Sequence, residues 1–354
     1  MAGKKYPYDE KEISEAEVRQ GPWGPSKILK KPCTDKENWE RAYQGDPVWM
    51  PDSFQGMFCP AVIPDNIARH FVIGANAPKD PNYAGKDMFG LDWVYVPSAG
   101  GSIVKPGNPY LADANEWYDK VVWPDINTWD WAGDAEANKA MLNNNNANFL
   151  WFLNGCWYER LISMMDFAEA AVALIDDDQK DAVKDFFQKC TDLYCDIVDK
   201  CCDYYGDGLA GFTVHDDWGA QKDCFFSPEV GEEMIVPYMK QLTDKIHSRG
   251  KYADLHSCGM LEKQVGNFVK AGWDSWTGMP MNDSQKIYAQ YGDKIMLGVI
   301  PDKVPEGADD ETKKKMAREF VDKFPKAMLS YYAGITDTVY KEEVYRYSRQ
   351  KFAK

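Results

Sequence analysis

The chain is 354 residues long and carries 41 basic and 56 acidic side chains, which give a formal net charge of −15. This length can bury the core of one large α/β barrel or of two smaller domains. The acidic excess argues against non-specific binding to nucleic acid or to an anionic membrane surface. No apolar run of signal-peptide type follows the first lysines, and the nine cysteines are an odd number. Both features favour a cytoplasmic protein without a disulfide framework.

The N-terminal part of the chain has an irregular pattern. Residues 1–45 are charged and interrupted by proline and glycine, so we predict an extension that packs on the main body. The segment "PVWMP" at 47–51 predicts a short apolar strand between two prolines. Residues from about 80 to 135 form a loop-rich, aromatic-rich insertion. An irregular insertion of that length is more often a lid or a pocket wall than a simple connection.

The C-terminal half alternates between strand and helix patterns. Three of its apolar strands are "LAGFTVHDD" (209–217), "KYADLHS" (251–257) and "KIMLGVI" (294–300). Repetition of strand and helix predicts parallel strands joined by right-handed crossovers. Over residues 46–354, this repetition favours a single (β/α)8 TIM barrel.

The predicted helix over 227–250 has clear signals at both ends. Ser227 is placed to be its N-cap, and Pro228 occupies the first helical position. Gly250 stands where a C-terminal cap belongs. Pro237 lies inside the segment and should kink the helix, because proline removes a backbone donor and crowds the preceding turn.

Polar side chains follow two of these strands, in the segments "HDDWGAQ" (215–221) and "HSCG" (256–259). In a barrel, catalytic groups lie where strands end and loops begin. His215, Asp216, Asp217 and His256 are therefore candidates for general acid or base catalysis. Adjacent residues of an extended chain point to opposite sides, so only one of Asp216 and Asp217 can face a pocket. The other should anchor the loop, and both could do so.

His256 and Cys258 are two residues apart, so on an extended segment they share one face. Imidazole nitrogen and thiolate sulfur are ligands that zinc prefers, and a catalytic zinc needs about three protein ligands. Cys156 or a nearby aspartate could supply the third. A buried cysteine beside a hydrogen-bonded histidine would explain the pair equally well.

The segment 209–260 resembles the uroporphyrinogen decarboxylase superfamily. In that superfamily an acidic Asp-Trp-Gly loop, "SPE", a long helix ending near glycine and a strand ending in "HSCG" occur in this order. The resemblance extends more weakly over about 37–335 and implies a (β/α)8 barrel. The decarboxylase itself binds substrate carboxylates through an arginine-rich segment near the first strand. Here "VWMPDSFQGMF" follows, with no arginine until Arg69, which disfavours that activity.

A second branch of the superfamily contains cobamide-dependent methyltransferases, which often bind zinc through His-x-Cys and a later cysteine. His256 and Cys258 match the first two positions, but Ala333 stands at the third, in "LSYYAGI". An incomplete thiolate site weakens the case for thiol activation, because that chemistry depends on zinc lowering the pKa of the thiol.

The resemblance therefore favours transfer of a methyl group from a methoxylated aromatic donor to the Co(I) of a corrinoid protein, an O-demethylation. Zinc would be the protein's own cofactor, and the corrinoid would come with the partner protein. Residues that could contact the aromatic substrate are Trp157, Tyr158, Trp218, Gln221 and Trp276. One alternative is a methylcobamide:thiol methyltransferase of the coenzyme M type. Another is a catalytically degenerate barrel that acts as a corrinoid-protein binding subunit.

Overall fold

The computed structural model describes residues 4–21, 24–53, 56–98, 100–143, 145–152, 155–334 and 337–353. Within them the fold is mixed α/β. The strands are β1 Glu17–Gly21, β2 Gly24–Ile28, β3 Gly56–Phe58, β4 Trp93–Val96, β5 Gly101–Val104, β6 Asn148–Phe152, β7 Gly211–His215, β8 Tyr252–His256, β9 Ser275–Thr277, β10 Met296–Val299 and β11 Met328–Leu329.

Helices separate most of these strands. They are α1 Lys11–Ser14, α2 Asp35–Tyr43, α3 Pro64–Ala68, α4 Trp117–Lys120, α5 Trp131–Ala137, α6 Lys139–Leu142, α7 Tyr158–Met165, α8 Phe167–Ala173, α9 Lys180–Tyr205, α10 Pro228–Met234, α11 Val236–Ser248, α12 Val265–Ala271, α13 Ser284–Tyr291, α14 Asp310–Lys323 and α15 Thr338–Phe352. Among the described residues, no helix has both the length and the apolar character needed to span a bilayer.

Seven strands form a sheet in the order β11-β10-β9-β8-β7-β6-β3, which follows the order of the chain. The pairs β3–β6, β6–β7, β7–β8, β8–β9 and β10–β11 are parallel. The predicted β–α repetition with parallel strands is therefore confirmed, and the fold is a barrel-like α/β fold. The described residues do not show the eighth strand of a closed barrel.

The first strand expected at 47–51 is not formed. In the structure this segment forms no regular strand, and residues 51–53 meet β11 through a bridge between Asp52 and Leu329. Leu329 donates its backbone N–H to the Pro51 carbonyl (2.9 Å), and its carbonyl accepts from Ser53 N–H (2.8 Å). Proline has no backbone N–H, so Pro47 and Pro51 limit the ladder that this segment can form.

The chain forms two compact units, of which the larger comprises residues 56–144 and 148–282. Its parallel strands carry fully buried apolar residues, among them Phe58, Phe149, Phe212 and Leu255. The aromatic insertion belongs to this unit, and part of it packs against helix α9. Trp117 is buried, donates its indole N–H to the Ala182 carbonyl (2.8 Å) and lies 5.8 Å from the ring of Phe186.

The smaller unit comprises residues 1–55, 145–147 and 283–354, so the predicted N-terminal extension shares a unit with the C-terminal helices. Tyr6, Ile13, Val48, Trp49 and Tyr345 form its buried cluster. Arg349 is fully buried and binds Glu12 through two guanidinium nitrogens (2.7 and 2.9 Å). A buried charge is tolerated when it is paired in this way.

Candidate metal centre

Two neighbouring strands of the larger unit end side by side. β7 and β8 are parallel, and their register places His215 opposite His256. The two imidazole rings are stacked, with centroids 5.0 Å apart and planes 13° from parallel. Both histidines thus lie at the carboxyl ends of their strands, which is where α/β folds of this type hold functional side chains.

Four side chains converge at this point: His215, Asp217, His256 and Cys258. Their nearest nitrogen, oxygen and sulfur atoms all lie within 4.8 Å of one another. Cys258 Sγ is 3.3 Å from His256 Nε2, and His215 Nε2 is 3.4 Å from Asp217 Oδ1. Zinc bonds of about 2.0–2.3 Å in a tetrahedron place neighbouring ligand atoms roughly 3.3–3.8 Å apart. The four donors are of the types that zinc binds, and these two separations lie in that range. The upper limit of 4.8 Å is wider, so a bound zinc ion would draw the four atoms closer together.

Glu159, at the start of α7, contacts the Nδ1 atom of His215. Its Oε2 lies 2.6 Å from His215 Nδ1, an ion pair whose geometry is not that of an aligned hydrogen bond. The same oxygen accepts from the Asp217 backbone N–H (3.1 Å), and Oε1 pairs with Arg69 (3.3 Å). A carboxylate on one ring nitrogen orients the imidazole and directs the other nitrogen toward a metal.

The start of α7 is in turn fixed by Asp216, which is fully buried. Its carboxylate accepts backbone N–H groups from the four consecutive residues 156–159, at 3.1–3.2 Å. It also accepts the indole N–H of Trp218 (2.7 Å). Asp216 is thus a loop anchor, whereas Asp217 faces the centre and accepts the Cys258 backbone N–H (2.6 Å). One carboxylate faces each way, as strand alternation requires.

Two glycines bring the loops after β7 and β8 together. Gly259 has a φ of +101°, and a Cβ atom there would lie 2.3 Å from the carbonyl carbon of Gly219. Only glycine permits so close a contact between two backbones. The glycines of "DWG" and "HSCG" therefore set the separation between the Asp217 and Cys258 loops.

Burial and nearby charges shift the pKa values of the two histidines in opposite directions. Burial lowers the pKa of His215, but the charges of Glu159 and Asp217 outweigh it and raise that pKa to about 10. Burial and the adjacent positive charge of His215 lower the pKa of His256 to about 3. Burial raises the pKa of the Cys258 thiol. His256 is thus ready to ligate as a neutral ring, whereas a metal must displace protons from His215 and Cys258.

Other residues predicted from the sequence lie outside this group. Cys156 is fully buried, and burial and the nearby charge of Asp216 raise its thiol pKa well above the usual value. Gln221 is exposed on the surface. The aromatic candidates pack inside the core, each at most 1% exposed: Trp157, Tyr158, Trp218 and Trp276. In this structure they form no surface that a substrate could reach.

Sequence reasoning missed Glu159, Arg69 and Trp151. Trp151 is half-buried, and its ring centroid lies 5.7 Å from that of His256 and 6.3 Å from that of Phe71. The strand pattern of "NFLWF" offered one signal, since it puts a large aromatic residue within β6, the strand next to β7. Glu159 and Arg69 carried no signal, because only the fold brings them to His215.

Comparison with models of known protein families gave no match, and neither did comparison with curated proteins. Among solved structures, the chain is similar to a crystal structure of Dispersin B, with 11% sequence identity. The similarity covers 85% of this chain and 98% of that one, with a TM-score of 0.29. A likeness at that score supports no conclusion about fold or activity.

Proposed function

We propose that this chain is a zinc-dependent methyltransferase that moves a methyl group from a methoxylated aromatic donor to the Co(I) of a corrinoid protein. The observation that carries the proposal is the convergence of His215, Asp217, His256 and Cys258, whose potential ligand atoms lie within 4.8 Å of one another. The sequence resemblance over 209–260 supplies the reaction class. We propose with it the closed (β/α)8 barrel that the resemblance implies, supported by the sequential order of the seven strands in the sheet.

The donor set favours ether cleavage over thiol activation. Zinc held there would supply a Lewis acid for the negative charge that develops on the ether oxygen. Because four protein ligands fill a tetrahedron, the ether oxygen would have to enter as a fifth ligand. The residues that hold it are two imidazoles, one carboxylate and one thiolate, so a single sulfur faces the ion. Asp217 and His215 would join His256 and Cys258 as ligands. The sequence offered Cys156 or an unspecified aspartate as the third ligand, and His215 only as a catalytic acid or base. Glu159 and Arg69 keep His215 oriented, while Asp216 holds the start of helix α7, which carries Glu159.

Trp151 is the side chain best placed to position an aromatic substrate. It is only half-buried, lies beside His256 and is itself packed against Phe71. Stacked aromatic contacts are worth about 0.5–1.5 kcal/mol beyond area burial, and they orient a planar ring. In the reaction, Co(I) donates an electron pair to the methyl carbon, and the C–O bond breaks. The phenolate leaves with the bonding pair and takes a proton from water.

The test is a spectroscopic assay with a reduced corrinoid protein and a panel of methyl donors. We expect loss of the Co(I) absorbance and gain of methyl-Co(III) with methoxyarenes, and much slower conversion with methanol or methylamines. Cys258→Ala should abolish the conversion, and Cys195→Ala, a half-buried thiol on α9, is the matched control. Reaction of only methylcobamide with a free thiol would favour the thiol methyltransferase. Absence of any reaction with a competent partner would favour a binding subunit.

A further inference from the structure

The smaller unit contains a cavity of about 570 Å³ that the proposed methyl transfer does not use. This volume is within the range of about 300–1,000 Å³ that small-molecule pockets occupy. Its lining is drawn from β2 and the residues after it, the segment around Trp49, the end of β11 and helix α15. All of these belong to the smaller unit.

The floor of this cavity is apolar and firmly packed. Trp49, Met50, Leu329 and Val344 line it, and each is buried. Trp49 also packs on Tyr345, with ring centroids 5.8 Å apart, and the Tyr345 hydroxyl donates to Glu12 (2.6 Å). The exposed parts of these two rings are small, 5% and 6%, and the Lys31 ammonium lies 5.2 Å from the Trp49 ring centroid. A flat ligand would therefore contact the rings together with the neighbouring apolar side chains of the floor.

Among the charged residues that line the cavity, one lysine has no carboxylate partner in the part of the chain that the structure describes. Lys27 pairs with Glu342 (2.8 Å), and Lys31 pairs with Asp35 (2.5 Å). Asp52, the other carboxylate of the lining, also has an interaction partner. Lys341 is exposed on α15, and with the residues that the structure describes it forms no ion pair or side-chain hydrogen bond. In a chain of net charge −15, a free ammonium group beside an apolar cavity favours an anionic ligand.

We propose that this cavity binds a small planar molecule that bears one carboxylate. The ring lies against Trp49 and its neighbours, and the carboxylate pairs with the Lys341 ammonium. Burial of the apolar ring contributes affinity. The pairing of the carboxylate with the ammonium makes the cavity prefer an acid over a neutral molecule of the same shape. The proposal does not depend on the metal centre or on methyl transfer.

The probes are 4-fluorobenzoate and its neutral counterpart 4-fluorobenzyl alcohol, with acetate as a carboxylate that has no ring. Binding to the full chain is measured by ligand-detected fluorine NMR for the fluorinated probes and by competition for acetate. A chelator is present throughout, so that coordination of a carboxylate by a metal contributes nothing. We expect the acid to bind roughly three- to tenfold more tightly than the alcohol, and acetate not to compete.

Two variants locate the site, and one serves as a control. Lys341→Gln should remove the preference for the acid without changing the affinity of the alcohol. Ala333→Phe, at a half-buried lining residue, should fill the cavity and weaken both probes. Lys351→Gln changes a lysine of the same helix that lies outside the lining, and it should bind as the unaltered chain does. Equal affinity for acid and alcohol, or an acid preference that survives Lys341→Gln, would overturn the proposal.

Discussion

Replacing Cys258 by alanine should remove one of four zinc ligands and leave the rest of the centre intact. Zinc binds structural sites with an apparent free energy of about 10–16 kcal/mol, so one ligand of four accounts for roughly 2.5–4 kcal/mol. That energy corresponds to a weakening of affinity by roughly 70- to 900-fold. The Cys258 side chain is half-buried, so its loss should cost the metal-free fold only about 1 kcal/mol.

The assay is competition for zinc between the purified chain and a chromophoric chelator, with urea unfolding of the metal-free protein alongside. Cys195→Ala is the control, because its thiol is also half-buried and lies outside the ligand group. Zinc affinity in Cys258→Ala within about twofold of the control would refute the assignment of Cys258 as a ligand. A loss of stability without a loss of zinc affinity would refute it equally.

Three further outcomes follow from the same geometry. Asp216→Asn should lower the free energy of unfolding by about 2–4 kcal/mol, because five N–H groups lose a charged acceptor. Asp217→Asn should change the free energy of unfolding by no more than about 1 kcal/mol but weaken zinc binding at least tenfold. Urea unfolding and zinc titration of both variants distinguish these effects. Gly259→Ala should cost at least about 2 kcal/mol in urea unfolding, because its Cβ would meet Gly219, whereas Gly250→Ala, with open space around it, should cost only about 1 kcal/mol. Zinc affinity should rise from about pH 6 to about pH 8, because the raised pKa values of His215 and Cys258 make zinc displace protons; a flat profile would contradict that ligand set.

Local signals predicted the two strands and the helix that position the centre. The strands expected at 209–217 and 251–257 are Gly211–His215 and Tyr252–His256. Ser227 caps α10 by accepting from Val230 N–H, and Pro228 occupies its first turn. The predicted kink is a break between α10 and α11, just before Pro237. These features depend on residues close together in the sequence, which is why the sequence alone was sufficient.

The arrangement around the metal depends on contacts that no local pattern contains. Alternation predicts that Asp216 and Asp217 point in opposite directions, but the four N–H groups that select Asp216 as the anchor lie about sixty residues away. The partnership of Glu159 with His215 has the same long-range origin. Aromatic residues at strand ends, such as Trp218 and Trp276, fit a pocket wall and a core equally well, and burial decides for the core.

X-ray absorption at the zinc edge of the purified chain tests the central claim most directly, because it counts the atoms bound to the metal. A centre built from His215, Asp217, His256 and Cys258 predicts one sulfur at about 2.3 Å and three nitrogen or oxygen atoms at about 2.0–2.1 Å, with the sulfur lost in Cys258→Ala. A zinc ion bound with no sulfur or with two, or a protein that retains no zinc, would contradict the account.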